Sequence, residues 1–475
     1  MKPRIAPFLV GGLLLAGIVV LGGCSGIRTA NEKRAQEDLR AAESVYRPGG
    51  QKPPLPELAS SSGLWDLIAY ALLNNPGVES AFYEWVASTE GITVARSLPD
   101  PMFTLSAEIL KGSIMALTPT LMTDPMANWP VPGKLALQGD AAYAESLMRR
   151  AAFEGEMLAA ALAVKRAYYQ LWVLHEQVRW TKEAATVVDD MERLALDRYA
   201  VGAVSQQDVL RAQMERDRLT TALVVLEDSR APVISRMRAA LGLQPDQALP
   251  DLSVKLEPTP ADLTEESLLA IAFERNPRLK EVRGEVMQAV ALFGLARKST
   301  VPDFSFGVST DVKASPEPWM PMAGVTLPIW RDKIAAEIAQ GRAGVGAARA
   351  RLSAEELDLA VRFAETAFNW READRNAKLY GDALLPKGQG SLESARAGYA
   401  AGNASFLDVL EAERDLLDIH ENEAVAVGQR EIALSELSLM VLGVWPEGVP
   451  GVLAPQPAPA SGAEQASKEE GGSAQ

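Results

Sequence analysis

Cysteine and histidine are almost absent from this sequence. Among 475 residues there are one cysteine, Cys24, and two histidines, His175 and His420. One cysteine cannot form a disulfide within the chain, and two histidines leave few ways to build a catalytic triad or a histidine metal site. The glycine-rich loop that binds nucleotide phosphates is missing as well. We therefore predict no enzymatic activity, no cofactor and no resident metal.

Basic residues are fewer than acidic ones. The chain has 47 Lys and Arg against 62 Asp and Glu, which gives a formal net charge of −15. Binding to nucleic acid requires a basic surface that neutralises phosphates, so we expect no nucleic-acid partner. Hydrophobic residues make up 48% of the chain, enough for a sizeable buried core.

The N-terminus has the layout of an export signal. Lys2 and Arg4 precede a nearly unbroken apolar run at residues 5–21, and small residues follow. Such a segment is too short, and wrongly flanked, for a stable membrane-spanning helix. We predict that residues 1–23 are a signal peptide.

Cys24 stands directly after this segment. It could be an incidental thiol, but Leu-Gly-Gly-Cys at residues 21–24 resembles the bacterial lipoprotein signal. That resemblance implies cleavage before Cys24, lipid on its sulfur and, because Ser25 follows, sorting to the outer membrane. Multiple acyl chains would anchor the protein firmly.

The sequence contains a tandem duplication. Four pairs of matching segments follow one another in the same order at a nearly constant offset, which chance does not explain. The best match pairs Tyr199-Ala-Val-Gly202, Ser205 and Asp208-Val-Leu210 with Tyr399-Ala-Ala-Gly402, Ser405 and Asp408-Val-Leu410, at an offset of 200 residues. The others pair Asn75-Pro76 with Asn276-Pro277, Leu241-Gly242 with Leu442-Gly443, and Leu98-Pro99-Asp100 with Val301-Pro302-Asp303.

The duplication defines the domain organisation. We predict a lipidated N-terminal arm at 24–60, repeat 1 at 61–250 and repeat 2 at 251–446. The tail at 447–475 is mostly Pro, Ala, Gly, Ser and Glu, with almost nothing to bury, and is predicted to be disordered.

Each repeat is predicted to be helix–strand–strand–helix. The first helices span 64–97 and 264–300, and each ends at a Pro-Asp pair. Hairpins follow at about 101–131 and 303–329, because residues alternate with period two, as in Phe103, Leu105, Ala107 and Ile109 against Thr104, Ser106 and Glu108. We expect the hairpin loops at 111–124 and 313–318.

Long helices follow the hairpins. Residues 133–231 and 329–385 lack proline and are rich in strong helix formers. A helix over 134–198 would be ~100 Å long at 1.5 Å per residue, and its apolar side chains recur at three and four residues, as expected for sideways packing. A second helix is predicted from Ser205 to about Leu241.

The strands have the length of membrane strands. Nine to eleven tilted residues cross a bilayer, and open sheet edges do not occur in lipid. The smallest membrane barrels have eight strands, so four strands per chain would require several chains in one barrel. A soluble β-layer packed on helices is the alternative, and the export signal favours the membrane.

These features together resemble the TolC-type outer-membrane efflux proteins over roughly residues 60–446. The resemblance is carried by the duplication, the Leu-Pro-Asp and Leu-Pro-Ile-Trp strand borders and the Tyr-x-x-Gly…Ser…Asp-Val-Leu tips. Trp-Pro-Val-Pro-Gly-Lys-Leu at 129–135 resembles the border found in the heavy-metal-efflux branch. The family implies a mainly α fold with a small β part, a homotrimer whose twelve strands form one barrel, and a periplasmic α-helical barrel below it.

The two helix–turn–helix tips are the candidate functional regions. The resemblance implies that they meet a periplasmic adaptor, and the tip residues are Tyr199, Gly202, Ser205, Gly402 and Ser405. Asp208 and Asp408 could simply stabilise helix starts. Asp408 and Glu411, however, lie at i,i+3 and share a helix face, whereas copy one has Arg211 at the position of Glu411.

The resemblance implies that this second-copy acidic pair lines a periplasmic gate and favours cations. Outward-facing helix caps are the alternative. The family also implies polar links between tips, for which Asp208 and Tyr399 are the candidates. The basic partner that often follows the second-copy glycine is missing, because Asn403 and Ala404 stand there.

The predicted function is therefore a passive exit duct in the outer membrane. It would serve an inner-membrane pump of the resistance–nodulation–division type through an adaptor, with metal cations as one candidate cargo. Two alternatives stay open: the exit duct of a type I protein secretion system, and a non-channel periplasmic coiled-coil lipoprotein. Four methionines of the first hairpin could bind Cu(I) or could serve membrane packing: Met102, Met115, Met122 and Met126.

Overall fold

A computed structural model of the chain describes residues 28–110, 112–123, 130, 132–256 and 265–441. The predictions for Cys24, Met126, Trp129 and the tail at 447–475 lie outside these residues. The helices are α1 Ala30–Tyr46, α2 Leu64–Asn74, α3 Pro76–Ala95, α4 Pro132–Ala200, α5 Gln206–Leu241, α6 Glu265–Arg275, α7 Pro277–Arg297, α8 Arg331–Lys378, α9 Leu385–Ala400 and α10 Phe406–Met440. The strands are β1 Pro101–Leu110, β2 Ser113–Thr123, β3 Phe304–Thr310 and β4 Trp319–Val325.

The long helices agree with the sequence. Helix α4 runs from Pro132 to Ala200, as the proline-free, helix-favouring composition of residues 133–231 indicates. Helix α5 ends at Leu241, as predicted, although it contains Pro232. A π-helical turn at Leu379–Leu384 joins α8 to α9. None of the helices in the described part of the chain is both long and apolar enough to cross a membrane.

The prediction of one continuous helix before each hairpin was wrong. An Asn-Pro pair divides each of these helices in two, and proline takes the first position of the second half. The residue before proline avoids the α region, and Asn75 is extended, with φ −67° and ψ 123°. Its side-chain oxygen accepts a hydrogen bond from the Gly77 N–H at 2.8 Å. The Asn276 oxygen accepts from the Arg278 N–H at 2.9 Å in the second copy.

The four strands form one antiparallel sheet in the order β1-β2-β3-β4. The prediction of a loop at 111–124 was wrong, because residues 113–123 form β2, paired along the whole of β1. Leu117 and Leu121 alternate with Thr118 and Thr120, and threonine favours strands. The β1–β2 turn instead lies next to Gly112, whose φ of +79° suits glycine.

The second hairpin has the predicted loop. Residues 311–318 separate β3 from β4, close to the expected 313–318. Strand β4 ends at Val325, short of the predicted border, where Pro328 cannot donate to a ladder. The sheet leaves large apolar side chains exposed, including Phe103 at 66% and Trp319 at 65%.

Two compact units make up the chain. The first contains the described residues up to Leu39, with Val86–Ser146 and Glu285–Ala347, and so includes the whole sheet. Within it, Glu32 of α1 is fully buried and accepts hydrogen bonds from Arg96 at 2.9 Å and Thr93 at 2.7 Å. Burial raises the pKa of Glu32, but these hydrogen bonds outweigh burial and hold the pKa below its ordinary value.

The second unit contains Arg40–Trp85, Leu147–Gly284 and the chain from Ala348. Its core includes an aromatic cluster in which the rings of Tyr46 and Phe82 lie 4.9 Å apart and those of Trp85 and Phe153 lie 5.8 Å apart. A separate hydrophobic cluster fills the region beside both tips. It includes Val188, Ala195, Val209, Ala212, Leu219, Leu392, Tyr399, Phe406, Val409 and Leu410.

Candidate functional site

The two tips have the same backbone turn. Gly202 and Gly402 have φ of +73° and +79°, and each N–H donates to the carbonyl of the tyrosine three residues earlier, at 2.9 and 3.2 Å. The following N–H groups, of Ala203 and Asn403, donate to the carbonyls five residues back, both at 2.8 Å. Both glycines thus have the positive φ that glycine adopts without strain.

Each tip continues into a helix with a capping box. The Asp208 carboxylate accepts from the Ser205 N–H at 3.2 Å and from its hydroxyl at 2.9 Å. In the second copy the Asp408 carboxylate accepts from the Ser405 N–H at 2.7 Å, and the Ser405 hydroxyl accepts from the Asp408 N–H at 3.2 Å. Both aspartates therefore stabilise helix starts.

Hydrogen bonding also shifts the acidity of Asp408. Its bonds from the Ser405 backbone, and then from the Ser405 side chain, lower the pKa of Asp408 below the ordinary 3.8. The carboxylate is exposed and stays ionised at neutral pH. Capping and a further electrostatic role are therefore compatible.

The copies differ one turn further along. In copy one, Arg211 lies 3.9 Å from Asp208 and offsets its charge. In copy two, Glu411 stands at the matching position and is exposed, as is Asp408. The second tip thus presents two carboxylates on one helix face. The predicted gate residues Asp208, Tyr399, Asp408 and Glu411 all lie at or within one turn of the tips. Tyr399 is buried, with 6% of its surface exposed, whereas its first-copy counterpart Tyr199 is 46% exposed.

Arg198 connects the two tips and was not predicted from the sequence. One guanidinium nitrogen donates to the Tyr399 carbonyl at 2.9 Å and another to the Ala400 carbonyl at 3.2 Å. The guanidinium carbon also lies 4.5 Å from the centre of the Tyr399 ring. We call this set of interactions the Arg198 contact. It places a cation at the C-terminal end of α9, where the helix dipole is negative.

Tyr399 contributes its ring and its backbone carbonyl to this contact. The ring packs against Phe406 with centroids 5.7 Å apart, and the hydroxyl has no hydrogen-bond partner among the described residues. Burial raises the pKa of Tyr399, which Arg198 partly opposes and Asp208 reinforces. The phenol therefore stays neutral. Arg198 of the first copy therefore places a positive charge beside Tyr399 of the second tip.

Ion pairs further along the helices join the same elements. Arg414 of α10 donates to Glu215 of α5 at 3.0 Å, and Glu215 is only 2% exposed. Arg396 of α9 lies 3.2 Å from Glu413 of α10. Burial raises the pKa of Glu413, and the charge of Arg396 lowers it in part. In both pairs the carboxylate is buried and the arginine is partly exposed. Arginine suits such a contact, because its planar guanidinium can donate two bonds to a carboxylate.

The hairpin base carries a link between the two repeats. Lys134, in the Pro-Gly-Lys segment, donates to the Val301 carbonyl and to the Asp303 carboxylate, each at 2.8 Å. Its side chain is only 11% exposed. The Pro-Gly-Lys segment therefore contacts Val301-Pro302-Asp303, the second-copy counterpart of Leu98-Pro99-Asp100. Within the described residues no three His, Cys, Asp or Glu side chains come together as metal ligands.

The chain can be compared with known proteins by three features: duplicated helices, one four-stranded sheet and matching tips. A sequence model of the family described as outer membrane efflux protein matches residues 67–243 and 268–441. The chain belongs to this family. An outer membrane efflux protein is a channel rather than an enzyme, so the predictions of efflux function, outer-membrane location and no catalysis are confirmed, and the non-channel lipoprotein hypothesis is wrong.

Relatives of this outer membrane efflux protein include a metal-resistance protein. The cobalt-zinc-cadmium resistance protein CzcC of Cupriavidus metallidurans is 22% identical over 379 residues, covering 78% of this chain and 88% of CzcC. Among solved structures, the outer membrane protein VceC of Vibrio cholerae is 18% identical, with a TM-score of 0.67 over 80% of this chain and 96% of VceC.

The MtrE outer membrane channel of Neisseria gonorrhoeae, solved in its open state, is 16% identical with a TM-score of 0.63. The structural alignment covers 82% of this chain and 94% of MtrE. At these identities the structural likeness concerns the fold, and it confirms the predicted helical fold with a small antiparallel sheet. The lipidation of Cys24 and the roles of the tip residues stay predictions.

Proposed function

We propose that the chain is the exit duct of a tripartite efflux system that expels metal cations. Three copies would form the duct, driven by an inner-membrane pump of the resistance–nodulation–division type through a periplasmic adaptor. The observation that carries the cargo is the similarity to CzcC, a cobalt-zinc-cadmium resistance protein, over 78% of this chain. The Pro-Gly-Lys segment, with Lys134 bound at the hairpin base, supports the same branch.

The sheet supports the trimer. Four strands cannot close a membrane barrel, and three chains would supply twelve. One face of the sheet carries exposed Phe103, Leu105 and Phe306, which lipid would cover. Anchoring through lipidated Cys24 would hold the same subunits at the outer membrane.

The second tip supports a gate that favours cations. Asp408 and Glu411 are exposed on one face of α10, and three copies would place six carboxylates around the periplasmic aperture. Tyr199, Gly202, Ser205, Gly402 and Ser405 would form the adaptor-docking surface at the tips, since all five are exposed. The Arg198 contact would keep the two tips of each chain together while the gate is closed.

Planar-bilayer recordings of the purified protein test the gate. Asp408→Asn with Glu411→Gln is expected to reduce cation selectivity, measured as a shift of the reversal potential toward zero in a salt gradient. The control neutralises two exposed acids of α5, Asp217 and Glu227, and should leave selectivity unchanged. Equal shifts in both variants would show that overall charge, and not the second tip, sets selectivity.

Growth of a deletion strain on a panel of metals and drugs tests the cargo. We expect sensitivity to metal cations, restored by the wild-type gene. Sensitivity to drugs alone would contradict the metal assignment. The type I secretion alternative predicts neither phenotype, and it predicts an ATPase gene rather than a proton-driven pump gene beside this one.

A further inference from the structure

A row of methionines crosses the sheet at one level. Met102 pairs with Met122, Met122 pairs with Gly307, and Gly307 pairs with Met322. Residues directly opposite each other in antiparallel strands point to the same side of the sheet. The three methionine side chains and the space above Gly307 therefore form one line across all four strands.

These methionines lie on the polar face of the sheet. Side chains alternate along a strand, so the same face carries Thr104, Thr120 and Ser309, and the opposite face carries Phe103, Leu121 and Phe306. Membrane barrels direct their polar face inward. Packing against lipid would account for methionine on the apolar face, but it does not account for Met102 and Met322 here, which are 39% and 40% exposed.

Gly307 leaves room for the row. A Cβ atom at this position would lie 2.8 Å from the Met122 Cβ and 3.3 Å from the Met322 terminal methyl group. The Met322 side chain thus already extends over β3 toward Met122. Met102 is the direct neighbour of Met122, and such pairs have Cβ atoms about 4.5–5.5 Å apart. Met102 and Met322 are three strand spacings apart, about 14 Å, which is too far for both thioethers to bind one cation. Met122 lies between them, so its thioether can share a cation with either neighbour.

Thioethers are soft, uncharged ligands that select Cu(I) and its congeners over hard or borderline cations. We propose that Met122, with Met102 or Met322 as its second ligand, forms a binding site for a soft monovalent cation, Cu(I) or Ag(I), on the wall of the passage. An uncharged site fits a duct, because conduction requires an ion to leave as readily as it enters. The location on the passage wall rests on the proposed function, and the site would add a soft monovalent cation to the metal cargo that the similarity to CzcC suggests.

Binding of Ag(I) to the full-length protein, purified in detergent as the wild-type assembly, tests the site. We expect one Ag(I) per chain by titration and elemental analysis, with sulfur neighbours in X-ray absorption spectra. Replacing Met102, Met122 and Met322 together by Leu, which has a similar volume, should weaken binding at least tenfold. Zn(II) should not compete at equal concentration.

Met320→Leu is the matched control. Met320 lies on the same face and strand as Met322, one level away beside Ser309, and its replacement should leave Ag(I) affinity unchanged. Oligomer size and bilayer conductance, measured on the same preparations, show whether the triple variant is folded and whether the protein is a channel at all. Unchanged Ag(I) binding in the folded triple variant, or an equal loss in the control, would overturn the site whatever the conductance shows.

Discussion

The Arg198 contact gives the sharpest prediction about tip stability. Arg198→Ala removes two charge-assisted hydrogen bonds to the last carbonyls of α9, at 2.9 and 3.2 Å, and a guanidinium stacked on Tyr399. A bond to a charged group contributes about 1.5–3 kcal/mol when it is buried. At this half-exposed site, water would replace part of the lost hydrogen-bond energy. The interaction of a cation with the dipole at a helix end contributes about 0.3–1 kcal/mol. We expect a local loss of about 2 kcal/mol.

Since about 1.4 kcal/mol corresponds to a tenfold change, local opening of the tip should become roughly 30-fold more frequent. Amide hydrogen exchange, read by mass spectrometry on peptides covering residues 396–406, measures this directly. The reporting amides are those of Gly402 and Asn403, which are bonded within the turn. Arg198→Lys should give an intermediate result, because a single ammonium cannot reproduce the planar fork.

Arg193→Ala is the control for Arg198→Ala. Arg193 lies on the same helix, is 76% exposed and forms an ion pair with exposed Asp190 three residues away. Such a surface pair contributes little, so its loss should change tip exchange by less than about twofold. If Arg198→Ala and Arg193→Ala exchange alike at residues 396–406, the tips are held by something other than this contact. Bilayer recordings would then also show no increase in open probability for Arg198→Ala.

Three further outcomes are expected. Cys24→Ser should abolish palmitate labelling in cells, and labelling that survives would show that the lipoprotein assignment is wrong. Because the pKa of Asp408 is lowered in the folded protein, its capping contribution to stability is complete above pH 3.8 and is lost as the pH falls through the lower folded pKa. Amide exchange in the first turn of α10 should therefore rise in acid. Asp408→Asn should remove this pH dependence. Gly402→Ala should destabilise the tip by about 1–2 kcal/mol in a thermal unfolding assay, because its φ is positive although its Cβ position is open. As the control, Gly390→Ala within α9 should stabilise the protein slightly in that assay.

Much of the fold could be predicted from local sequence signals. Absence of proline and high helix propensity predicted α4 within two residues at each end, because both act along one helix. The 200-residue offset predicted that the two tips share a turn, and they do. The wrong predictions also concern local signals. Asn75-Pro76 breaks the helix before the first hairpin in addition to marking the repeat, and the threonines at 118 and 120 belong to strand β2 and not to a loop.

The Arg198 contact could not be predicted in the same way. It joins residues about two hundred positions apart, and the arginine is an ordinary residue for the last turn of a helix. The signal available was a difference between the copies, since Arg198 aligns with Gly398. Helix propensity accommodates Arg198 but does not explain Gly398, whereas tertiary contacts explain both residues. The difference between Glu411 and Arg211 was recognised because both residues carry charge at an exposed helix start.

Gly398 stands where the first half has Arg198, and the structure leaves no room there for a larger residue. A Cβ atom there would lie 2.9 Å from the Cβ of Ala404, so an arginine cannot replace this glycine without reshaping the second tip. The second half therefore cannot carry an arginine equivalent to Arg198, and no equivalent contact can form from position 398 to the end of α4. A chain made of two copies of the second repeat would therefore lack the arginine that connects the tips.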